Sequence, residues 1–219
     1  MKDRSRRAAA RGNGWEQGPR WPRRQGASKT TIYERVGKRV LDLIIACCGL
    51  LILSPIFLVA AVLIVIDDGF PSLFRQRRVG TNTTPFTLLK LRTMRRGTPQ
   101  TVSTKADPTM VTRVGRILRR TNLDEIPQFF NVLRGEMSIV GPRPALPGQD
   151  SLMALRTASG ASRCRPGLTG LAQVNSYDGM PEEEKARFDT EYCTRVTFRS
   201  DLAILVRTVA YLLRRPPVY

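Results

Sequence analysis

An uninterrupted apolar run near the N-terminal end constrains this chain more than any other feature. The run, Leu43–Ile66, contains no charged residue. About 20 apolar residues are enough for a helix to cross the hydrocarbon core of a bilayer, so the run predicts a membrane-embedded helix. Ser54 and Pro55 stand at its middle. A proline inside a helix removes one backbone hydrogen bond and clashes with the preceding turn, so we expect a kink or a break at this pair.

Positive charge lies at both ends of the apolar run. The flanking residues are Arg35, Lys38 and Arg39 before it, and Arg75, Arg77 and Arg78 after it. Cytoplasmic loops of membrane proteins are enriched in lysine and arginine. Two topologies are therefore open: a kinked helix that spans the bilayer, or a re-entrant helical hairpin with both ends in the cytoplasm. The residues of the run do not decide between them.

The charge balance narrows the class of partner. The 219 residues include 36 Lys and Arg against 18 Asp and Glu, a formal net charge of +18. This excess implies an anionic partner, such as a nucleic acid, an anionic lipid or a phosphorylated substrate.

The chain has no histidine, which excludes a Ser-His-Asp triad and a histidine metal site. The four cysteines, Cys47, Cys48, Cys164 and Cys193, show no CxxC spacing, so we expect a reducing compartment and neither a zinc site nor a disulfide framework.

Residues 1–30 form a basic segment with few aliphatic side chains. Such a segment buries too little apolar surface to offset the entropy lost on ordering, which predicts a disordered tail. An equally open interpretation is a polybasic arm on anionic lipid headgroups. The segment does not resemble a signal peptide, because no apolar stretch follows its charges directly.

Residues 69–219 have the composition of a soluble domain. Leu73–Gly80 and Pro85–Met94, separated by turn-forming residues, predict a β-hairpin, and a polar loop follows at 95–109. Val111–Leu123 has apolar residues at helical spacing with arginines between them, which predicts a basic amphipathic helix packed either into the core or on the membrane interface. Two more helices are predicted at Pro181–Thr197 and Asp201–Arg214. The fold class expected is α/β (α+β), predominantly helical.

An adjacent acid pair, Asp124 and Glu125, stands out in this basic chain. Arg119 and Arg120 precede the pair, and Gly141-Pro142-Arg143-Pro144 follows it and holds one arginine in a stiff turn. Carboxylates can hold a divalent cation and supply a nucleophile, while guanidinium groups bind phosphate oxygens, so the set suits metal-assisted phosphate chemistry. The alternative is that the pair is only the acidic first turn of a helix, which the macrodipole favours.

Six segments together resemble the bacterial sugar transferases, the monotopic phosphoglycosyl transferases that start glycan assembly on polyprenyl phosphate. They are K-R-V-L-D at 38–42, the apolar run with Ser54-Pro55, R-Q-R-R-V-G at 75–80, K-L-R-T-M at 90–94, the stretch 118–144 that contains L-D-E-I-P-Q and G-P-R-P, and R-P-G-L-T-G-L-A-Q-V-N at 165–175. They occur in the family's order and cover about residues 33–215. In the last segment the family often has a tryptophan where this chain has Leu171, which puts contacts to the nucleotide side in doubt.

The resemblance implies an architecture. It places a re-entrant membrane helix, broken at Ser54-Pro55, within residues 31–68, and a cytosolic catalytic domain with a small sheet and interfacial helices at 69–219. It favours the membrane interface for Val111–Leu123. The implied location is the bacterial inner membrane, with a monotopic anchor, an anionic membrane surface as a contact and the active site on the cytoplasmic face.

The resemblance also implies an activity, the transfer of a phosphosugar from a nucleoside-diphosphate sugar, with UDP expected, to polyprenyl (undecaprenyl) phosphate, with Mg²⁺ as cofactor. Asp124 matches the nucleophile and would also bind the metal, and Glu125 would orient groups or handle protons. The residues expected to bind substrate phosphate are Lys90, Arg119, Arg143 and Arg165. Those expected near the nucleotide and sugar are Pro142, Gly167, Thr169 and Gln173.

The competing hypothesis is a membrane-anchored binding protein whose positive charge serves nucleic acid or lipid and whose acid pair caps a helix. It does not account for G-P-R-P and R-P-G-L-T-G beside the acid pair. Beyond residue 30, the basic stretches also contain few interleaved aromatic residues for base stacking, so we expect no nucleic-acid partner. The sequence does not determine the sugar, the glycan pathway or whether the chain forms a homo-oligomer.

Overall fold

The computed structural model describes residues 31–98, 107–176 and 179–213. The predicted basic tail at 1–30 and residues 99–106 of the predicted polar loop lie outside this part of the chain. The described residues are mostly helical, with two small two-stranded sheets, which agrees with the predicted fold class.

The apolar run forms a single long helix. A π-helical turn at Tyr33–Gly37 leads into α1, Lys38–Asp68, and together they are long and apolar enough to cross a membrane. Pro55 lies inside α1, and Ser54 Oγ donates to the carbonyl oxygen of Leu51 at 2.9 Å. Because the helix continues through both residues, the predicted break at Ser54-Pro55 is not confirmed.

The N-terminal end of α1 is bonded to the globular part of the protein. Asp42 is 2% exposed and accepts hydrogen bonds from the hydroxyl of Ser138 and the backbone N–H of Ile139, both at 2.9 Å. Arg39 donates to the carbonyl oxygens of Val132 at 2.6 Å and Leu133 at 2.9 Å. These charge-assisted bonds fix the start of α1 on elements almost a hundred residues away.

The C-terminal end of α1 is bonded to the same globular part. Arg92 donates to the carbonyl oxygen of Asp68 at 2.9 Å and forms an ion pair with its carboxylate at 3.2 Å. Ile64 is buried and packs in a cluster with Leu91 and Leu118. Between the two anchored ends, residues 47–59 include no buried side chain, and Leu51 is 78% exposed.

The predicted hairpin is confirmed. Strands β1, Leu73–Val79, and β2, Pro85–Leu91, pair antiparallel, and the N–H of Gly80 donates to the carbonyl oxygen of Thr84 at 2.8 Å across the turn. The side-chain amide of Asn131 joins the outer edge of β2, since it accepts from the N–H of Leu89 at 3.0 Å and donates to the carbonyl oxygen of Thr87 at 2.7 Å.

The amphipathic helix is confirmed with shorter bounds, as α2, Arg113–Thr121. Thr112 caps its first turn by accepting from the N–H of Gly115 at 2.9 Å, and a left-handed residue, Asn122, ends it. Leu118 is buried in the core, whereas Ile117 on the other side of the helix is 64% exposed. The prediction of core packing is therefore confirmed for Leu118, whereas contact of Ile117 with the membrane interface stays a prediction.

The second sheet lies between helices. Its strands β3, Ser138–Val140, and β4, Gly167–Thr169, pair parallel. The backbones of Gly141 and Gly167 approach so closely that a Cβ on Gly167 would overlap the N atom of Gly141, which explains the two glycines. The remaining helices are α3, Gln128–Arg134; α4, Asp150–Ser159; α5, Leu171–Val174; α6, Glu182–Thr194; and α7, Phe198–Leu213.

Two cysteines that are far apart in the sequence meet in the structure. Cys164 and Cys193 form a disulfide, with a Cα–Cα distance of 6.1 Å. The expectation of no disulfide framework did not anticipate this single pair, because the spacing along the chain carries no information about contacts made by folding. Cys47 and Cys48 are free and exposed on α1.

Candidate active site

The acid pair lies in a short turn between two helices. A 3₁₀ turn, Leu123–Glu125, starts at the left-handed residue Asn122 and leads towards α3. Asp124 is 7% exposed, and Glu125 is half-buried beside it. The pair is therefore not an exposed first helical turn, and burial of two carboxylates requires cations or donors close by.

Lys90, near the end of β2, supplies the first cation. Its Nζ atom lies 2.6 Å from Oε1 of Glu125 and 3.6 Å from Oδ2 of Asp124. The buried side chain of Asn131 bonds to the backbone of β2 at Thr87 and at Leu89, the residue directly before Lys90, and so helps to fix the position of this lysine. The structure thus brings a predicted phosphate-binding residue directly onto the acid pair.

Arg143, in the loop after β3, supplies a second cation. One of its guanidinium nitrogens lies 3.4 Å from Oε1 of Glu125, and its side chain is 53% exposed. The backbone of its loop is held in place, since the carbonyl oxygen of Arg143 accepts from Arg156 at 3.0 Å. Arg156 is in turn fixed by a buried ion pair with Asp189 at 2.6 Å. Arg143 therefore has a rigid backbone and an exposed head, which suits a group that reaches a ligand.

Arg119 lies close to the pair without bonding to it directly. Its Nε atom donates to the hydroxyl of Thr93 at 2.9 Å, just beyond the end of β2. Its charge still acts on Asp124, whose pKa it helps to lower.

The surroundings shift the pKa values of the two carboxyl groups in opposite directions. Burial is the largest influence on the pKa of Asp124 and raises it above the ordinary value. The charge of Lys90 opposes this rise, and the charge of Glu125 adds to it. Burial alone would also raise the pKa of Glu125, but Lys90 and Arg143 outweigh it and lower that pKa to about 2. Glu125 is therefore ionised at neutral pH, and Asp124 is the member of the pair that takes up a proton more readily.

A cleft opens beside Glu125, with an empty volume of about 230 Å³. The residues that line it come from β1, β2, the 3₁₀ turn, α3, the loop after β3, and β4. They are Arg78, Leu88, Lys90, Glu125, Gln128, Arg143, Pro144 and Gly167. Three of them are cations and one is a carboxylate, so the cleft favours an anion. Lys90, Glu125, Arg143 and Gly167 had been predicted as site residues from the sequence.

Arg78 and Gln128 line the cleft and were not predicted. Arg78 is 9% exposed, donates to the carbonyl oxygen of Pro144 and to the side chain of Gln76, and has its pKa lowered to about 10 by burial and by Arg143. The alternation of side chains along β1 could have indicated Arg78, because it places Arg78 on the opposite face of the strand from Arg77. Gln128 had no such signal, because it stands in a helical stretch among apolar residues.

The other predicted residues occupy different positions. Pro142 contributes its carbonyl oxygen, which accepts from the N–H of Gly167 at 2.8 Å. The hydroxyl of Thr169 shares a hydrogen bond with Thr208 of α7 at 2.7 Å, so it joins two elements. Arg165 is exposed and is not among the described residues that line the cleft. Gln173 has a buried amide near Gly170 and also lies outside that lining.

The residues at the site fit a metal ion only if the substrate helps to hold it. Among the described residues, no group of three or more Cys, Asp or Glu side chains could hold a metal ion. Asp124 offers one carboxylate, while Oε1 of Glu125 is taken up by Lys90 and Arg143. Mg²⁺ is commonly held by one or two carboxylates together with substrate phosphates and water, and Asp124 suits that mode.

Comparisons with known proteins identify the family of this chain. A family model described as bacterial sugar transferase matches residues 33–215. The UDP-glucose:undecaprenyl-phosphate glucose-1-phosphate transferase of Caulobacter vibrioides is 42% identical over 191 residues, which cover 83% of this chain and 72% of that protein. The exopolysaccharide production protein ExoY of Sinorhizobium fredii is 36% identical over 192 residues, covering 80% of this chain and 84% of that protein.

A third relative is longer than this chain. The UDP-glucose:undecaprenyl-phosphate glucose-1-phosphate transferase of Escherichia coli is 37% identical over 185 residues, which cover 80% of this chain and 40% of that protein. The range of the family match includes the acid pair, the hairpin that carries Lys90 and the loop that carries Arg143. This chain belongs to the bacterial sugar transferase family.

Proposed function

We propose that this sugar transferase moves a phosphosugar from a UDP-sugar to undecaprenyl phosphate and releases UMP, as the first membrane step of a glycan pathway. The observation that carries the proposal is the buried acid pair at the edge of a cationic cleft, with Lys90 and Arg143 both on Glu125. The relatives from Caulobacter vibrioides and Escherichia coli are UDP-glucose:undecaprenyl-phosphate glucose-1-phosphate transferases, so UDP-glucose is the first donor to test.

The proposed reaction has two displacements. In the first, a carboxylate oxygen of Asp124 attacks the sugar-side phosphorus of the UDP-sugar, the bond from that phosphorus to the bridging oxygen breaks, and UMP leaves with the bond electrons. In the second, a phosphate oxygen of undecaprenyl phosphate attacks the same phosphorus, and the bond to Asp124 breaks. The carboxylate is regenerated, and the product is an undecaprenyl-diphosphate sugar.

The cations of the site have matching tasks in this scheme. Arg143 has a rigid backbone and a half-exposed guanidinium group, so it can bind phosphate oxygens of the donor in bidentate fashion. Lys90 opposes the rise that burial causes in the pKa of Asp124, so it favours the ionised carboxylate, and it neutralises charge that develops on the transferred phosphoryl group. Glu125 stays ionised between Lys90 and Arg143. Of its two predicted roles, orientation is therefore favoured over proton transfer.

Mg²⁺ is part of the proposal, held by Asp124 together with substrate phosphates. When bound, it supplies charge neutralisation that lets two anionic groups approach each other. Removal of divalent cations by EDTA should abolish UMP release, and Mg²⁺ added back in excess should restore it.

The attachment of α1 supports a monotopic topology. A spanning helix would place its ends on opposite sides of a hydrocarbon core about 30 Å thick. Here Asp42 near one end and Asp68 at the other both bind the same globular part. We therefore propose that α1, though continuous, bends at Pro55 in the membrane, so that its exposed middle enters one leaflet while both ends stay on the same side. We also propose that the cleft faces the cytoplasm at the bacterial inner membrane. The exposed Ile117 side of α2 would rest on the same anionic surface.

The test is UMP release from UDP-glucose and a panel of other UDP-sugars, with undecaprenyl phosphate and Mg²⁺, using the full chain in nanodiscs. The matched control is Asp124→Asn, which preserves size and removes the carboxylate. Multiple-turnover release that depends on the lipid acceptor and is lost in the control supports the proposal. Absence of UMP release with every sugar, together with salt-dependent DNA binding, would favour the binding-protein hypothesis instead.

A further inference from the structure

Gln128 has a buried side-chain amide at the edge of the cleft. The residue is 3% exposed, yet it lines the cleft beside Glu125. Its Nε2 atom is buried and has no hydrogen-bond partner among the residues that the structure describes. A buried donor left without a partner costs about 1–3 kcal/mol, so a protein that keeps one gains something else from it.

The position of Gln128 is rigid. The residue opens α3 directly after Pro127, which is almost fully buried. Helix α3 is fixed on one side by Asn131, whose amide bonds to β2, and on the other by Arg39 of α1, which donates to the carbonyl oxygen of Val132. A donor on such a support keeps its direction while a ligand binds, which is the property expected of a preorganised binding group.

The neighbours of Gln128 in the cleft identify the chemistry of the ligand. Arg78, Lys90 and Arg143 line the same space, and Glu125 is the one carboxylate among the described lining residues. Arg78 donates only to neutral oxygens in the bonds that the structure shows, those of Gln76 and Pro144. A concave surface with three cations around a neutral N–H donor suits the oxygens of a phosphate or diphosphate group.

We infer that Gln128 is a substrate-binding residue whose side-chain N–H donates to a phosphoryl oxygen of the bound diphosphate. The inference rests on the proposed function for the identity of that diphosphate, the one in a UDP-sugar, and it adds a neutral donor to the cationic groups named above. It also accounts for the unpaired amide, because the ligand satisfies in the complex the donor that the fold leaves unpaired.

A stability measurement separates this role from a structural one. Gln128→Met keeps the length of the side chain and removes the donor, so the variant should unfold at a Tm equal to or above that of the wild type. Gln149→Met is the matched control, because Gln149 accepts a hydrogen bond from the N–H of Leu146 at 2.8 Å and lies outside the cleft lining. The control should lose stability and keep its activity. A fall in the Tm of Q128M similar to that of Q149M would show that the fold uses the amide and would overturn the inference.

Binding is measured by calorimetry on the full chain in nanodiscs, with inorganic pyrophosphate and with UDP-glucose, each with Mg²⁺. Loss of a hydrogen bond to a charged oxygen should weaken both ligands roughly 10- to 150-fold in Q128M. Gln128→Glu, which retains the shape and places a carboxylate against the phosphate, should weaken them further and also serves if Q128M does not fold. Unchanged affinity for pyrophosphate in either variant, with or without a loss for UDP-glucose, would refute a phosphoryl contact.

Failure of the inference and failure of the proposed function give different results. If the wild type releases UMP and Q128M binds and turns over as well as the wild type, the inference is wrong and the proposed function stands. If the wild type releases no UMP from any UDP-sugar but binds pyrophosphate in a Gln128-dependent manner, the phosphate site stands and the proposed function is wrong.

Discussion

Replacement of Lys90 by methionine should reveal how the acid pair is controlled. The Nζ atom of Lys90 lies 2.6 Å from Glu125 and 3.6 Å from Asp124. At 3.6 Å, with an effective dielectric constant of about 20, the attraction between Lys90 and an ionised Asp124 is about 5 kcal/mol. Lys90 is also the largest influence that lowers the pKa of Asp124. Without this charge the pKa of Asp124 should rise further above its ordinary value.

The sign of the effect on activity follows from the role of the carboxylate. If Asp124 attacks as an anion, activity is lost as the pH falls below its pKa. In the wild type the acidic limb of the pH–rate profile should already lie above that of an ordinary aspartate, because burial raises the pKa of Asp124. In Lys90→Met that limb should move to higher pH. The variant should also lose about 3–5 kcal/mol of stability at most, since it leaves carboxylates that are mostly buried without their main partner.

The assay is the initial rate of UMP release from UDP-glucose between pH 4 and 9, with urea unfolding in parallel, at roughly physiological salt. Lys90→Arg retains the charge and should leave the acidic limb near that of the wild type. Lys38→Met is the matched control, because Lys38 pairs with the buried Asp201 at 2.8 Å, away from the cleft. This control should lose stability without a shift of the limb. An unmoved limb in a folded K90M variant would show that Lys90 does not govern the ionisation of Asp124.

The remaining predictions concern the nucleophile, the arginine loop and the topology. Enzyme incubated with UDP-glucose and Mg²⁺ but no lipid should carry a phosphosugar on Asp124 in peptide mapping, and Asp124→Asn should lower turnover by several orders of magnitude; an adduct on Glu125 would reverse the assignment. Arg143→Lys should be severely impaired because lysine cannot make the planar bidentate contact, whereas near-normal turnover would show that charge alone is needed. Cysteines introduced at Tyr33 and Arg75 should both resist an impermeant reagent in intact cells; labelling of one of them from outside would mean that α1 spans.

The comparison of sequence with structure is clearest at the hairpin and at α2. Alternation and turn residues predicted β1 and β2 closely, because a strand pair joined by a tight turn depends mainly on neighbouring residues. The period of the arginines and apolar residues predicted α2 within two residues at either end. Residues 145–165 offered no clear pattern, and there the structure forms α4, which is held by the ion pair of Arg156 with Asp189.

The site shows where prediction from the sequence ends. The resemblance of their motifs to one family predicts Lys90, Glu125 and Arg143 as site residues, and the structure places the charged atoms of Lys90 and Arg143 at 2.6 and 3.4 Å from Oε1 of Glu125. Arg78 and Gln128 were not predicted as site residues, because a local sequence pattern does not indicate which strand face or helix end borders a cleft. Thr169 was assigned to the ligand, but its hydroxyl contacts Thr208 of a helix much later in the chain.

Four features could be predicted before folding is considered: the long apolar helix, the cationic character, the absence of histidine chemistry and the family. Each of them depends on composition or on residues close together in the chain. Three other features required the folded chain: both ends of α1 bind one globular part, Cys164 meets Cys193, and Glu125 rather than Asp124 lines the cleft. These features depend on contacts between residues far apart in sequence, such as Asp42 with Ser138, whose energies are fixed by packing, burial and charge in three dimensions.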